Sequence, residues 1–271
     1  MNWQVIARND VRRSINQRGI WTLLAGFLLG FCGLAVLVLY LGDPDFQGYV
    51  EIIKGGAGLL APLAGIILGY EAIIGERESG TAVLSLSLPQ SRADLVLGKL
   101  VSRTLLLCGT IAAAGVITAV VMIPTYPSFD FPQYVGLLVG VAGYAAVFLW
   151  LSAALSMALS TSRRVIAAAF GTYIGLTLFW NVLIDVLVSI LFRFQPPRQP
   201  ETWVTFSKFV GPYTTYNYLL SKLSSIGSLP PVAVTSTEEF ITPAVAVLGM
   251  IGWILLPVGL GYLSFRRSDI L

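Results

Sequence analysis

The sequence predicts an all-α integral membrane protein that crosses the bilayer about six times, with an amphipathic helix before the first crossing. Three observations carry this. Of the 271 residues 56% are hydrophobic and only 11% charged, against roughly 25% charged in soluble domains. The apolar residues come in uninterrupted runs of about 20, the length that spans a ~30 Å hydrocarbon core at 1.5 Å per residue. Lysines and arginines gather on alternate connections, as expected where basic loops stay in the cytoplasm.

The first 19 residues repeat Trp3, Ala7, Val11 and Ile15 at every fourth position, with Arg8, Arg12, Arg13 and Arg18 mostly elsewhere. This spacing predicts an amphipathic helix on the cytoplasmic leaflet, in contact with membrane lipid. A plain anchoring role suffices for it. The following run, 20–41, exceeds the 7–15 residues of a signal-peptide core and ends in Leu41-Gly42-Asp43-Pro44 without a small-residue cleavage pattern, so it reads as a retained span.

Further spans are expected at 52–75, 100–123, 134–160, 165–192 and 241–264, all within one transmembrane domain covering 1–271. Gly26/Gly30, Gly65/Gly69, Gly136/Gly140 and Gly171/Gly175 form GxxxG pairs, each an expected point of close helix approach. Of the 17 Lys and Arg, all but Lys54, Arg193, Arg198, Lys208 and Lys222 fall on the side of the termini and of the connections after spans two and four. Both termini are therefore expected in the cytoplasm.

The loop 193–240 then faces outward; its prolines Pro196 and Pro197 break the fifth helix, and Trp203, Phe206 and Val210 predict a short interfacial helix.

Histidine is absent, which excludes His-based acid–base catalysis, HExxH metal sites and a Ser-His pair. Cys32 and Cys108 each sit within an apolar run and read as buried filler, not as a disulfide or zinc ligands. The net charge of +3 is explained by loop placement, so no nucleic-acid partner is expected. No catalytic or metal-binding residue is assigned. Glu71, Asn181 and Asp185 are the candidate pathway groups, because polar side chains within spans usually face a cavity or a partner.

The connection 76–99 is too long for a tight turn. Pro89 interrupts it, and Ser91 with Asp94 three residues later resembles a capping box that opens a helix running on into the third span. Glu76-Arg77-Glu78-Ser79-Gly80-Thr81, then Leu88-Pro89-Gln90-Ser91-Arg92 and Leu97-Gly98-Lys99, resemble the E-x-E-x-GT, P-x-SR and GK elements of type-2 ATP-binding-cassette (ABC) exporter permeases. The likeness extends from the arginine-bearing first helix to Phe265-Arg266-Arg267-Ser268-Asp269, and is greatest towards the nitrous-oxide-reductase maturation permease branch.

The resemblance implies a cytoplasmic coupling helix gripped by a separate ABC ATPase subunit, with Glu76, Arg77, Glu78, Gly80, Thr81, Pro89, Ser91, Arg92, Gly98 and Lys99 as the coupling residues. It implies a homodimer, or a heterodimer with a similar permease, in the cell membrane. Gly98-Lys99 lacks the earlier glycine and following hydroxyl of a phosphate-binding loop, so ATP and Mg are expected on the partner and no cofactor on this chain. The competing readings are a membrane-embedded lipid-modifying enzyme using Glu71 or Asp185, and a non-transporting anchor for an ATPase.

Overall fold

The computed structural model describes residues 3–42, 44–78, 91–194, 201–223 and 240–267. Helix α1 is Trp3–Ile15, and α2 is Arg18–Tyr40 with a π-helical turn at Leu29–Gly33. They are followed by α3 (Phe46–Gly69), α4 (Glu71–Glu78), α5 (Arg92–Thr125) and α6 (Phe131–Ala158). Next come α7 (Ser162–Leu178) and α8 (Trp180–Leu191), then α9 (Thr202–Phe209), α10 (Pro212–Leu223) and α11 (Pro243–Arg267).

Among the described residues five stretches are long and apolar enough to cross a bilayer unaided: Arg18–Tyr40, Phe46–Gly75, Ala93–Thr125, Phe131–Ala158 and Pro243–Arg266. The expected fifth span differs from the reading of an unbroken helix over 165–192. It is two helices, α7 and α8, meeting at a bend of 73°. The break follows a π-helical turn at Ile174–Leu178 and falls at Phe179, where ψ is 0°. A π-turn is a recognised cause of a sharp kink, because it takes the chain off the i→i−4 ladder.

Helix α6 is the hub. It is apolar around its circumference, as a helix surrounded by other helices must be, and it packs against α3, α5, α7, α10 and α11. The closest crossing is with α3: a Cβ on Gly65 would run into the Ala145 carbonyl oxygen, and one on Gly69 into that of Leu149. Backbones in contact gain the van der Waals attraction that holds helices together in lipid. Ser152 adds a hydrogen bond to the Ile66 carbonyl at 3.3 Å.

The two ends of the bundle differ. At the end holding the 41–45 and 126–130 connections, Phe46, Tyr49, Tyr126, Phe129 and Tyr134 form an aromatic cluster. Their hydroxyls reach between helices: Tyr49 donates to Phe31 O at 3.2 Å, within the π-turn of α2, and Tyr126 to Ala35 O at 2.7 Å.

The loop helices close this end, and here the expectation of one interfacial helix falls short. Helix α9 leaves Trp203 and Phe206 exposed as expected, but α10 packs into the bundle. Its Tyr216 is fully buried, stacks on Tyr144 with centroids 4.4 Å apart and donates to Lys54 O at 3.1 Å.

The opposite, basal end carries α1 and the end of α11. A second apolar core there joins Ala72 and Ile73 of α4, Val96 and Leu100 of α5, Ala153, Ala154 and Met157 of α6, and Phe265 of α11. The cysteines correct the expectation of buried filler: both are free, Cys108 is exposed and Cys32 half-buried, on surfaces that lipid or a partner would cover.

Candidate functional site: the clasped base of the third span

The connection expected to couple enters the bundle through α4 and leaves it through α5. Both ends are held by side chains from distant helices.

At the entry, the chain breaks at Tyr70 and restarts as α4, leaving the first N–H groups of the new helix without intrahelical acceptors. Ser156, fully buried on α6, supplies one: its Oγ accepts from Ile73 N at 3.2 Å and from Ile74 N at 2.8 Å. A residue 83 positions downstream thus acts as the cap.

At the exit, Ser91 opens α5 as its N-cap. Its Oγ accepts from Asp94 N at 3.0 Å and lies 2.8 Å from Asp94 Oδ2, a local variant of the expected capping box. The expectation that this helix continues into the third span is met by a single helix of 34 residues. At 1.5 Å per residue it is about 50 Å long, against a ~30 Å hydrocarbon core, so roughly 20 Å of rigid helix extends beyond the apolar layer.

Helix α1 packs along this extension. Its inward face presents Ala7, Asp10 and Ser14, spaced by three and four residues and therefore on one side of the helix. The stripe expected to be apolar, Trp3, Ala7, Val11 and Ile15, is only partly used, because Ile15 is 45% exposed. Gly98 admits the close approach: a Cβ there would lie 2.8 Å from Ile6 Cβ and 3.0 Å from Trp3 O.

Asp10 is the centre of the contact, with 7% of its surface exposed. Its Oδ1 accepts from Lys99 Nζ at 2.7 Å, and its Oδ2 from Ser102 Oγ at 2.6 Å. Arg103 Nε stands 3.3 Å from Oδ2, close enough for charge pairing but not aligned for a hydrogen bond. Lys99, Ser102 and Arg103 occupy i, i+3 and i+4 on α5, one face of the helix.

Burial pushes the Asp10 carboxyl up, but the Arg103 and Lys99 charges and the hydrogen bonds from Lys99 and Ser102 outweigh it, so the group stays below its ordinary range. With Lys99 and Arg103 only 13% and 12% exposed, this is an ion cluster in which losing one partner strands the others.

The expected coupling residues separate into groups. Gly98 and Lys99 face α1, not outward. Ser91 caps α5, and Arg92 begins it. Glu76, Arg77 and Glu78 form the end of α4; their side chains, that of Arg92, and all of Gly80, Thr81 and Pro89 lie outside the described residues.

The three pathway candidates do not converge. Glu71 opens α4 at the base, exposed and hydrogen-bonded by Tyr70. Asn181 lies just after the 73° bend with its Oδ1 buried and without a hydrogen-bond partner. Asp185 is 60% exposed and ion-paired to Lys208, which ties α8 to α9. Sequence reasoning overlooked Asp10, Ser102 and Ser156, and took Arg103 only for its charge.

These features define an α-helical, multi-pass membrane protein in which a helix along the base and the root of the third span form one packed platform. The chain belongs to the ABC-2 family transporter proteins, which it matches over residues 4–270. It is similar to the probable ABC transporter permease protein NosY of Stutzerimonas stutzeri, 27% identical over 282 residues and covering 97% of each chain. Similarity to the protein of the same description from Pseudomonas aeruginosa is 25% over 273 residues, covering 98% of each. The chain is thus a permease subunit of an ABC transporter.

Proposed function

We propose that this permease exports its cargo across the cell membrane, with both termini in the cytoplasm, driven by a separate ATPase subunit that grips the 76–99 connection. ATP and Mg are held by that subunit. Two permease chains, identical or similar, form the pathway between them, and Glu71, Asn181 and Asp185 are its candidate polar contacts. The excess of Lys and Arg at the basal end supports the orientation.

The observation that carries the reading is the unbroken helix from Arg92 to Thr125, which joins the connection directly to a membrane span. An ATPase can drive transport only if its ATP-bound form has unequal affinity for two permease arrangements, since equal affinity shifts nothing. A rigid rod rooted in the connection is where such a difference acts on the bundle.

Affinity copurification of the tagged chain from native membranes, with an ATPase assay on the complex, tests this. Recovery of a stoichiometric ATPase is expected, and the double variant Glu76→Ala, Glu78→Ala should lose docking or coupling while remaining in the membrane. Wild-type docking and coupling in that variant would remove the role assigned to 76–99.

A further inference from the structure

We propose that Asp10 is a positioning residue: by binding Lys99, Ser102 and Arg103 it fuses α1 to the root of α5, so the two move as one body when the connection is displaced. The inference rests on the transporter reading above and adds the path that force takes inside this chain.

A helix lying on a membrane needs no carboxylate on its inner face, yet Asp10 sits there between the small residues Ala7 and Ser14, beside the partly buried Ile6 and Val11. The directional fastening is the carboxylate, whose two oxygens are each engaged by a different residue of α5. Such an arrangement fixes both the rotation and the axial register of α1, because a shift of one residue along either helix separates the oxygens from Lys99 and Ser102 together.

The position of the contact matters as much as its strength. Lys99 and Arg103 fall seven and eleven residues after Arg92, the start of α5. The clasp therefore lies between the connection and the apolar part of the span, where a bend would dissipate any displacement delivered from below. Gly98 brings the backbones together beside it, and Ser102, fully buried, excludes water from the carboxylate. Entry and exit are treated differently: α4 is held by neutral hydrogen bonds from Ser156, which ties it to the hub helix, while α5 is held by charge to α1. The exit is the end that moves together with α1; the entry is the end that stays with the hub.

The test uses the full chain in lipid nanodiscs with its copurified ATPase. Hydrogen exchange of α1 amides reports the clasp, and maleimide labelling of Leu97→Cys in a Cys32→Ser, Cys108→Ser background reports movement of the α5 root with and without ATP and Mg. In Asp10→Asn, α1 exchange should rise roughly 100-fold, as expected when a buried charge cluster loses its anion. The ATP-dependent change in labelling should fall at least fivefold with the ATPase still bound. Asp10→Glu should restore both, which a merely space-filling residue would not require. Should Asp10→Asn fail to accumulate, Ser102→Ala keeps all the charges and should give a smaller change of the same sign in both readouts.

Unchanged α1 exchange in Asp10→Asn, or a wild-type ATP response despite loosened α1, overturns the proposal. Absence of any ATPase or ATP response from the unsubstituted chain would count against the transporter reading instead, while the exchange measurement would still decide whether Asp10 holds α1.

Discussion

Replacing Gly65 by alanine puts a methyl group where α3 and α6 touch. The added Cβ would collide with the Ala145 carbonyl oxygen and stand 2.9 Å from Leu149 N. Both obstacles are main chain, so neither can rotate away and the helices must separate. Overpacking of this kind costs about 1–3 kcal/mol, and rigid backbone on both sides favours the upper end. Alanine recovers about 1 kcal/mol through its better helix propensity, leaving a net loss of about 2 kcal/mol.

At roughly 2–4 °C per kcal/mol for a chain of this size, the melting temperature should drop by about 4–8 °C. Thermal unfolding of the detergent-solubilised protein, followed by tryptophan fluorescence, measures it. Gly171→Ala is the internal control, because nothing lies within 4 Å of a Cβ there, and it should be neutral or slightly stabilising. Equal melting temperatures for the two variants would refute the claim that the α3–α6 crossing is a backbone contact.

Ser156→Ala removes the acceptor shared by Ile73 and Ile74; the loss of a helix cap, about 0.5–2 kcal/mol, should appear as faster exchange of those two amides with little effect on α1. The Asp10 clasp has a definite pH sign: with the folded carboxyl held below its ordinary value of 3.8, its stabilisation is complete above that value and is lost as pH falls through the lower folded value. Proteolysis within α1 should therefore stay constant from neutral pH down to about 4 and increase only in stronger acid. Gly211→Ala sets a methyl against the Trp180 indole, whose N–H donates to Ser207 O at 2.9 Å; the cap should loosen, with a red shift in tryptophan emission.

Hydropathy and charge made the spans legible because both are summed over about 20 residues, and such sums tolerate local irregularity. The same averaging conceals the break at Phe179, since a π-turn alters hydrogen bonding without changing composition. The GxxxG spacing behaved unevenly for a related reason. Gly65/Gly69 meets the α6 backbone and Gly140 receives the Leu220 side chain, whereas Gly26/Gly30 and Gly171/Gly175 have nothing within 4 Å. Spacing identifies a smooth helix face but not what faces it.

The motif at 97–99 drew attention to Gly98 and Lys99, yet their contacts with α1 depend on a partner 89 residues away for Lys99, outside any local pattern. One signal was present: Lys99, Ser102 and Arg103 at helical spacing, opposite a lone aspartate among arginines in α1. Ser156 carried none, because a serine in an apolar helix looks the same whether or not it caps another.

The length of α5 sets a scale for what the base can do to the far end. Rocking a straight rod of about 50 Å by about 10° around its lower end carries the upper end sideways by about 9 Å, wider than a water molecule or a small anion, without breaking a hydrogen bond inside the rod. The kinked α7–α8 pair has no such leverage, since a 73° elbow keeps its two arms from acting as a single rod. One helix in this bundle is shaped to amplify a small displacement, and another, packed on the same hub helix, is already bent.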